Sequence, residues 1–339
     1  YWEESIKYIK SNDLNLDENI ESISRNSYRS YPKWTLSNDE LWFSIQMSKE
    51  VSNLSLTSEQ SKFLRNFTFP YYINGQAGSG KSTMLYYIFS NVYYYKTQDI
   101  IKGEVAFLTE NEKLLEDTKK YVNDLLRNNP EFDGLDDKQI NDSKNNFFSF
   151  KEFLLDILED SDRGKFHSEK YLNFSIFKYL YESSTLATYI KDKYSAEECW
   201  FVIITYIYGY KIKEKVTSEN YIETIPKALQ VIDKEVFKGI EKDVLPYYEK
   251  LLEDGYWDKL KIIRFIYENI NIKKRYSVII CDEAQDFCRV ELHFILNMSE
   301  YLKYDLSTVS QVPVLFAGDP NQTVNPTGFR EDEITSLLY

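Results

Sequence analysis

The sequence predicts an α/β fold, with a parallel sheet flanked by helices and interrupted by a large, mostly helical insertion. Three observations carry this. Val105–Thr109, Ser277–Cys281 and Val312–Ala317 are continuous apolar runs, the pattern of parallel strands covered on both faces. A glycine-rich loop, Gly75-Gln-Ala-Gly-Ser-Gly-Lys-Ser-Thr83, separates a short apolar stretch from a helical one. From about residue 148 to 272 the apolar spacing is helical, without glycine-flanked β runs.

Taken in order, residues 1–55 are polar and rich in Asn and Ser, and read as an N-terminal helical extension. Its one amphipathic helix spans roughly Asp39 to Val51, with Ser37 or Asn38 as cap. Phe69–Asn74 is suited to a buried strand, with Pro70 near its start, where a missing N–H costs least. Met84, Leu85, Ile88, Phe89 and Val92 then share one helix face. After the strand at Val105–Thr109 comes a helix with Leu114, Leu115, Val122, Leu125 and Leu126 toward the core. Residues 128–147 look loop-like. The apolar run Cys199–Tyr208 reads as a buried helix, too short to span a bilayer. The expected division is 1–55, then 56–110 with 276–339 as one α/β domain, and 111–275 as the helical insertion.

At 339 residues, 43% apolar and 16% aromatic, the chain has room for two or three domains with large cores. Its formal charge of −13 argues against a protein that coats nucleic acid through an overall basic surface, though not against a local basic groove. Cys199, Cys281 and Cys288 show neither metal spacing nor a disulfide framework, which points to a reducing, cytoplasmic setting. With only His167 and His293, zinc sites and histidine-based triads are poor expectations. The chain opens without Met and stops after Leu338-Tyr339, as a piece of a longer protein would.

Gly75, Gly80, Lys81 and Ser82 satisfy G-x-x-x-x-G-K-[ST], with Ala77, Gly78, Ser79 and Thr83 completing the segment. Such glycines let backbone N–H groups turn toward phosphate oxygens, and the following helix N-terminus adds partial positive charge. The motif implies ATP, with Lys81 at the β- and γ-phosphates and Ser82 on Mg²⁺. Asp282-Glu-Ala-Gln-Asp286 follows the third strand directly. Ligands collect beyond the carboxyl ends of parallel strands, so Asp282 would face Ser82 and hold Mg²⁺, while Glu283 would polarise the attacking water. The plainer reading, an acidic helix start, is less probable beside the glycine loop. Gly318-Asp319-Pro-Asn-Gln322 alone is a turn; as a third polar loop at a strand end it lines the same crevice. Thr57-Ser-Glu-Gln60 is a capping box, yet an amide there would also suit an adenine edge, and the residues leave both readings open. The clusters Lys211–Lys215 and Lys273–Arg275 are more often solvated helix ends than phosphate contacts.

Together these segments resemble the ATP-binding half of UvrD/Rep-type superfamily 1 helicases. Leu56–Gln60 resembles the family's Q motif, Gly75–Thr83 motif I, Phe107–Asn111 motif Ia, Asp282–Asp286 motif II and Gly318–Gln322 motif III. Phrases such as Phe148–Phe153 and Gly255–Asp258 resemble a divergent branch that includes modules of large TPR-and-ankyrin-repeat proteins. The resemblance implies a RecA-like P-loop NTPase domain with a 1B-type insertion and moves Gln60 toward adenine recognition. It implies that Gln285 and Gln322 sense the γ-phosphate, and that Thr109 lies near the path of a single nucleic-acid strand, DNA being the expected kind. The family's Tyr and Trp after motif III are absent, Phe329 being the nearest aromatic. A second RecA-like domain, with motifs IV to VI, is expected outside this chain, so slow ATP hydrolysis is expected of it alone. The other expectation is an ATP-gated interaction module without unwinding activity.

Overall fold

The structure is a computed structural model that describes residues 56–76, 78–272, 275–299, 313–319 and 334. The helix expected at Asp39–Val51 lies outside the described residues. The strands are β1 (Tyr71–Asn74), β2 (Glu104–Thr109), β3 (Phe147–Ser149), β4 (Tyr276–Cys281) and β5 (Val314–Gly318). They form one parallel sheet in the order β1-β5-β4-β2-β3.

The central strands carry apolar residues at successive positions because successive side chains enter different cores. On one face Val105, Phe107, Val278, Ile280, Leu315 and Ala317 meet helices α2 (Lys81–Thr97) and α3 (Glu112–Asn128). On the other, Ala106, Leu108, Ile279, Cys281, Val314 and Phe316 meet α4 (Phe150–Ile157), the insertion's helices, and the C-terminal helix Arg289–Asn297. Because all five strands are parallel, the glycine loop after β1 and the acidic loops after β4 and β5 lie at the same end of the sheet.

Two elements differ from expectation. The stretch expected to be buried at 69–74 is an edge strand, in which only Ile73 is fully buried; its Phe69–Pro70 peptide is cis. The sheet also has a fifth strand, β3, at the end of the stretch that reads as loop. That stretch folds into short helices, Pro130–Phe132, Asp137–Asp142 and Ser143–Asn146. β3 adds only three residues beside β2, and Ser149 then caps α4 in a capping box with Glu152.

The longer helices whose buried residues share the core of the second face are α5 (Phe174–Glu182), α6 (Lys234–Asp243), α7 (Leu245–Glu253), α8 (Lys259–Asn269) and, after β4, α9 (Arg289–Asn297). The expected buried helix at Cys199–Tyr208 is a helix at Ala196–Phe201 that widens to a π-helix at Val202–Ile207. Trp257 is fully buried, its indole N–H donating to the His167 carbonyl at 2.7 Å. All three cysteines are buried free thiols. Among the described residues no helix is long and apolar enough to cross a membrane.

Phe107 ties β2 to α2 and to β3. Its ring lies 5.9 Å from Phe89 and 5.3 Å from Phe147, centroid to centroid. Replacing a fully buried Phe by Ala costs about 3–5 kcal/mol. Phe107→Ala is expected to lower unfolding stability by that much in urea titration; a loss below about 1 kcal/mol would contradict this packing.

Candidate functional site

The glycine loop runs from the end of β1 to the start of α2. Gly78 and Gly80 have φ of +74° and +84°, which only glycine adopts without strain. Gly80 is the N-cap of α2 and no side chain caps the helix. The first-turn N–H groups of α2 therefore face the loop with the positive end of the helix dipole behind them. The Lys81 ammonium folds back over the loop, donating to the carbonyls of Gly75 at 2.5 Å and Gln76 at 3.2 Å. Ala77 lies outside the described residues.

Segments two hundred positions apart converge here. Ser82 Oγ donates to Asp282 Oδ2 at 3.1 Å. The Asp282 backbone N–H donates to the Leu108 carbonyl at 2.9 Å, which fixes the loop after β4 against β2. The Gly75 N–H donates to the Gly318 carbonyl, which joins the ends of β1 and β5. Asp282 is fully buried. Burial pushes its carboxyl up to about 6, helped by the nearby Glu283 charge. The Glu283 N–H, the Ser82 hydroxyl and the Lys81 charge pull the other way.

Glu283 has φ +52° and ψ +45°. For a non-glycine residue this left-handed geometry costs about 1–2 kcal/mol. Such strain clusters at functional sites. The Glu283 carboxylate accepts from Gln285 Nε2 at 2.6 Å, and Gln285 Oε1 accepts the Asp319 backbone N–H at 3.0 Å. Gln285 thus joins the loop after β4 to the end of β5. Gly318 permits this, since a Cβ there would sit 2.5 Å from Gln285 Oε1. Asp319 itself is buried.

Gln60 completes the capping box its sequence position suggested, and it makes a second bond that the sequence did not announce. Its Oε1 accepts from the Thr57 N–H at 2.9 Å, completing the capping box of α1 (Ser58–Asn66). Its Nε2 donates to the Ser79 carbonyl at 3.1 Å, so the same amide holds the glycine loop. An open groove of about 420 Å³ runs alongside, between Gln60, Phe63, Tyr71, Asn74 and Lys81.

The structure therefore gathers Gln60, Gly75, Gly78, Ser79, Gly80, Lys81, Ser82, Thr83, Asp282, Glu283, Gln285 and Asp319 at or beside one edge of the sheet. Thr109 is at that edge but fully buried, its hydroxyl accepting the Asn111 N–H at 3.4 Å. It presents no surface to a nucleic-acid strand. Gln322 and Phe329 lie outside the described residues, as do Lys273 and Lys274. Among the described residues of the basic clusters, Arg275 pairs with Asp156, Lys211 with Glu214 and Lys215 with Glu249. Sequence reasoning missed Tyr86, one turn after Ser82. Burial raises its phenol above its usual value, against hydrogen bonds with Thr118 and Ser82. Its i+4 spacing from Ser82 was the available signal.

Comparison with protein-family models and with curated proteins returned no match, so the reading of the site rests on its geometry.

A carboxyl raised from 3.8 to about 6 corresponds to about 3 kcal/mol, at about 1.4 kcal/mol per pH unit. The folded state disfavours the ionised form, so this stability is present below the unfolded value of 3.8 and lost as pH rises through about 6. Asp282→Asn is therefore expected to melt higher than the parent protein at neutral pH in the presence of chelator. The gain should shrink as the buffer approaches about pH 4. A variant that melts lower at neutral pH would show that the carboxylate supports the fold.

Proposed function

We propose that this chain is the ATP-binding half of a nucleic-acid-dependent ATPase of the UvrD/Rep-like superfamily 1 helicase kind. The observation that carries the reading is the Ser82–Asp282 contact. It joins a glycine loop with an uncapped helix start to a buried acid from a distant segment.

In this reading the first-turn N–H groups of α2 and the Lys81 ammonium take the β- and γ-phosphates, as charge-assisted bonds at a helix N-terminus. The Lys81 bonds to Gly75 and Gln76 exchange for bonds to phosphate. The adenine lies in the groove beside Gln60 and Tyr71, and the Gln60 amide reports to the loop through Ser79.

Ser82 and Asp282 offer a hydroxyl and a carboxylate within 3.1 Å of each other, the hard oxygen donors Mg²⁺ takes alongside substrate phosphates. They fit that ion; when bound, it neutralises charge on the phosphate oxygens. Glu283 orients the attacking water and receives its proton. Its backbone is left-handed, and Gln285 holds its carboxylate in place. Because Gln285 also holds the Asp319 N–H, a change at the γ-phosphate reaches the segment after β5, where such enzymes couple hydrolysis to a strand.

A second reading is favoured by the charge of −13 and by the internal pairing of the basic clusters: an ATP-gated interaction module that unwinds nothing. Stimulation of ATPase by single-stranded DNA separates the two, and absence of stimulation favours the module.

Lys81→Ala is expected to weaken ATP binding at least tenfold, read with a fluorescent ATP analogue; unchanged affinity would overturn the phosphate assignment. Glu283→Gln should keep nucleotide affinity within about threefold while lowering kcat by about 10²-fold or more, the scale of a general base. Normal turnover by that variant would remove Glu283 from its role.

A further inference from the structure

A second cavity lies on the other side of the 282–286 loop, where the helical layer meets the sheet edge. It holds about 180 Å³, less than the roughly 300–1,000 Å³ of sites for drug-sized ligands. That is room for one side chain.

Tyr171, Phe174 and Trp200 present rings to it. The polar part comes from Glu110, which follows β2, from Asn173 and Asp286, and from the buried Glu291 and Asp258, the last held by the Tyr248 hydroxyl and the Lys261 N–H. Lys259 is the one cation among its described lining residues. The Lys259 ammonium is already shared between Glu110 and Glu291, and Glu291 also accepts the Cys288 N–H at 2.8 Å. The carboxylates outnumber the cation.

Each class of occupant can be weighed on this lining. A phosphate group would meet like charge. A purely apolar group would leave carboxylates against hydrocarbon, at a cost of several kcal/mol. A flat cation satisfies both parts, its faces on the aromatic rings and its N–H groups on the carboxylates. A guanidinium does this better than an ammonium, because its planar fork matches a carboxylate edge while stacking on a ring.

We propose that this cleft is a binding site for an arginine side chain of a protein partner. The inference does not depend on the reading of the glycine loop. Asp286 closes the turn that begins at Glu283, its N–H donating to the Glu283 carbonyl at 2.9 Å. A partner seated in the cleft would therefore touch the back of that loop.

The test is an NMR titration of the full chain, following the Trp200 indole N–H, assigned by its loss in Trp200→Phe. The probes are N-acetyl-arginine amide, its neutral citrulline counterpart and a single-stranded oligodeoxynucleotide. The expected result is saturable binding of the arginine probe with Kd at or below about 1 mM, and at least tenfold weaker binding of the citrulline probe. Asp286→Asn should weaken the arginine probe at least tenfold without lowering the melting temperature. If that variant does not fold, Glu110→Gln is expected to give the same loss. Equal binding of both amides, an undiminished response in the folded carboxylate variant, or a response to the oligonucleotide alone would each overturn the proposal.

Discussion

The buried carboxylate of Asp282 is the constraint around which this edge of the molecule is organised. Removing a charged group from water is expensive unless hydrogen bonds and opposite charge replace the lost hydration. Asp282 has the Ser82 hydroxyl, the Glu283 N–H and the field of Lys81, and these do not fully compensate, since its carboxyl titrates near 6. The register of β4 against β2 holds it there, through the bond from its own N–H to the Leu108 carbonyl. The fold thus maintains a group that weakens it at neutral pH. A site that awaits positive charge has this property.

The sheet shows how two kinds of information were distributed along the chain. Strands covered on both faces declared themselves, because Val278 through Cys281 and Val314 through Ala317 alternate between two apolar cores and leave no polar position. The glycine loop and the acidic loop were equally legible: their residue types are dictated by backbone geometry and charge. β3 was not. Phe147–Ser149 is three residues long, and its pairing with β2 depends on Phe107 and Phe89 lying beside it. Nothing local announces such a partner. β1 was placed correctly but its burial was overestimated, since an apolar run does not reveal whether a strand ends at an edge.

Gln60 illustrates a different limit. A capping box explains the residue completely at the level of one helix, and that sufficiency hides its second bond, to Ser79. The amide has separate donor and acceptor ends, so one side chain can finish a helix and steady a loop nineteen positions away. The same holds for Lys259 and Gln285, whose value lies in joining segments distant in sequence. Lys259 connects α8 with the end of β2 and the start of α9. Spacing along a chain does not encode such junctions.

The costs in this structure fall together in space. Glu283 is held in a left-handed conformation, Asp282 is buried with incomplete compensation, and α2 begins without a side-chain cap. Each is destabilising by itself, and each would be relieved by a common substitution: Gly at 283, Asn at 282, or Ser or Asp at 80 were the backbone different. Several other helix starts follow local rules, with capping boxes at Thr57, Asp136, Ser149 and Ser195. Asp99 is also left-handed, α7 also starts without a side-chain cap and Asp258 is also a buried acid with its carboxyl raised, but these lie apart, whereas at this strand-end edge all three kinds of cost meet. Uncapped N–H groups favour an anion, and the buried acid beside a hydroxyl favours a cation. Under the proposed function, a phosphate chain with its metal ion would answer the two demands at once.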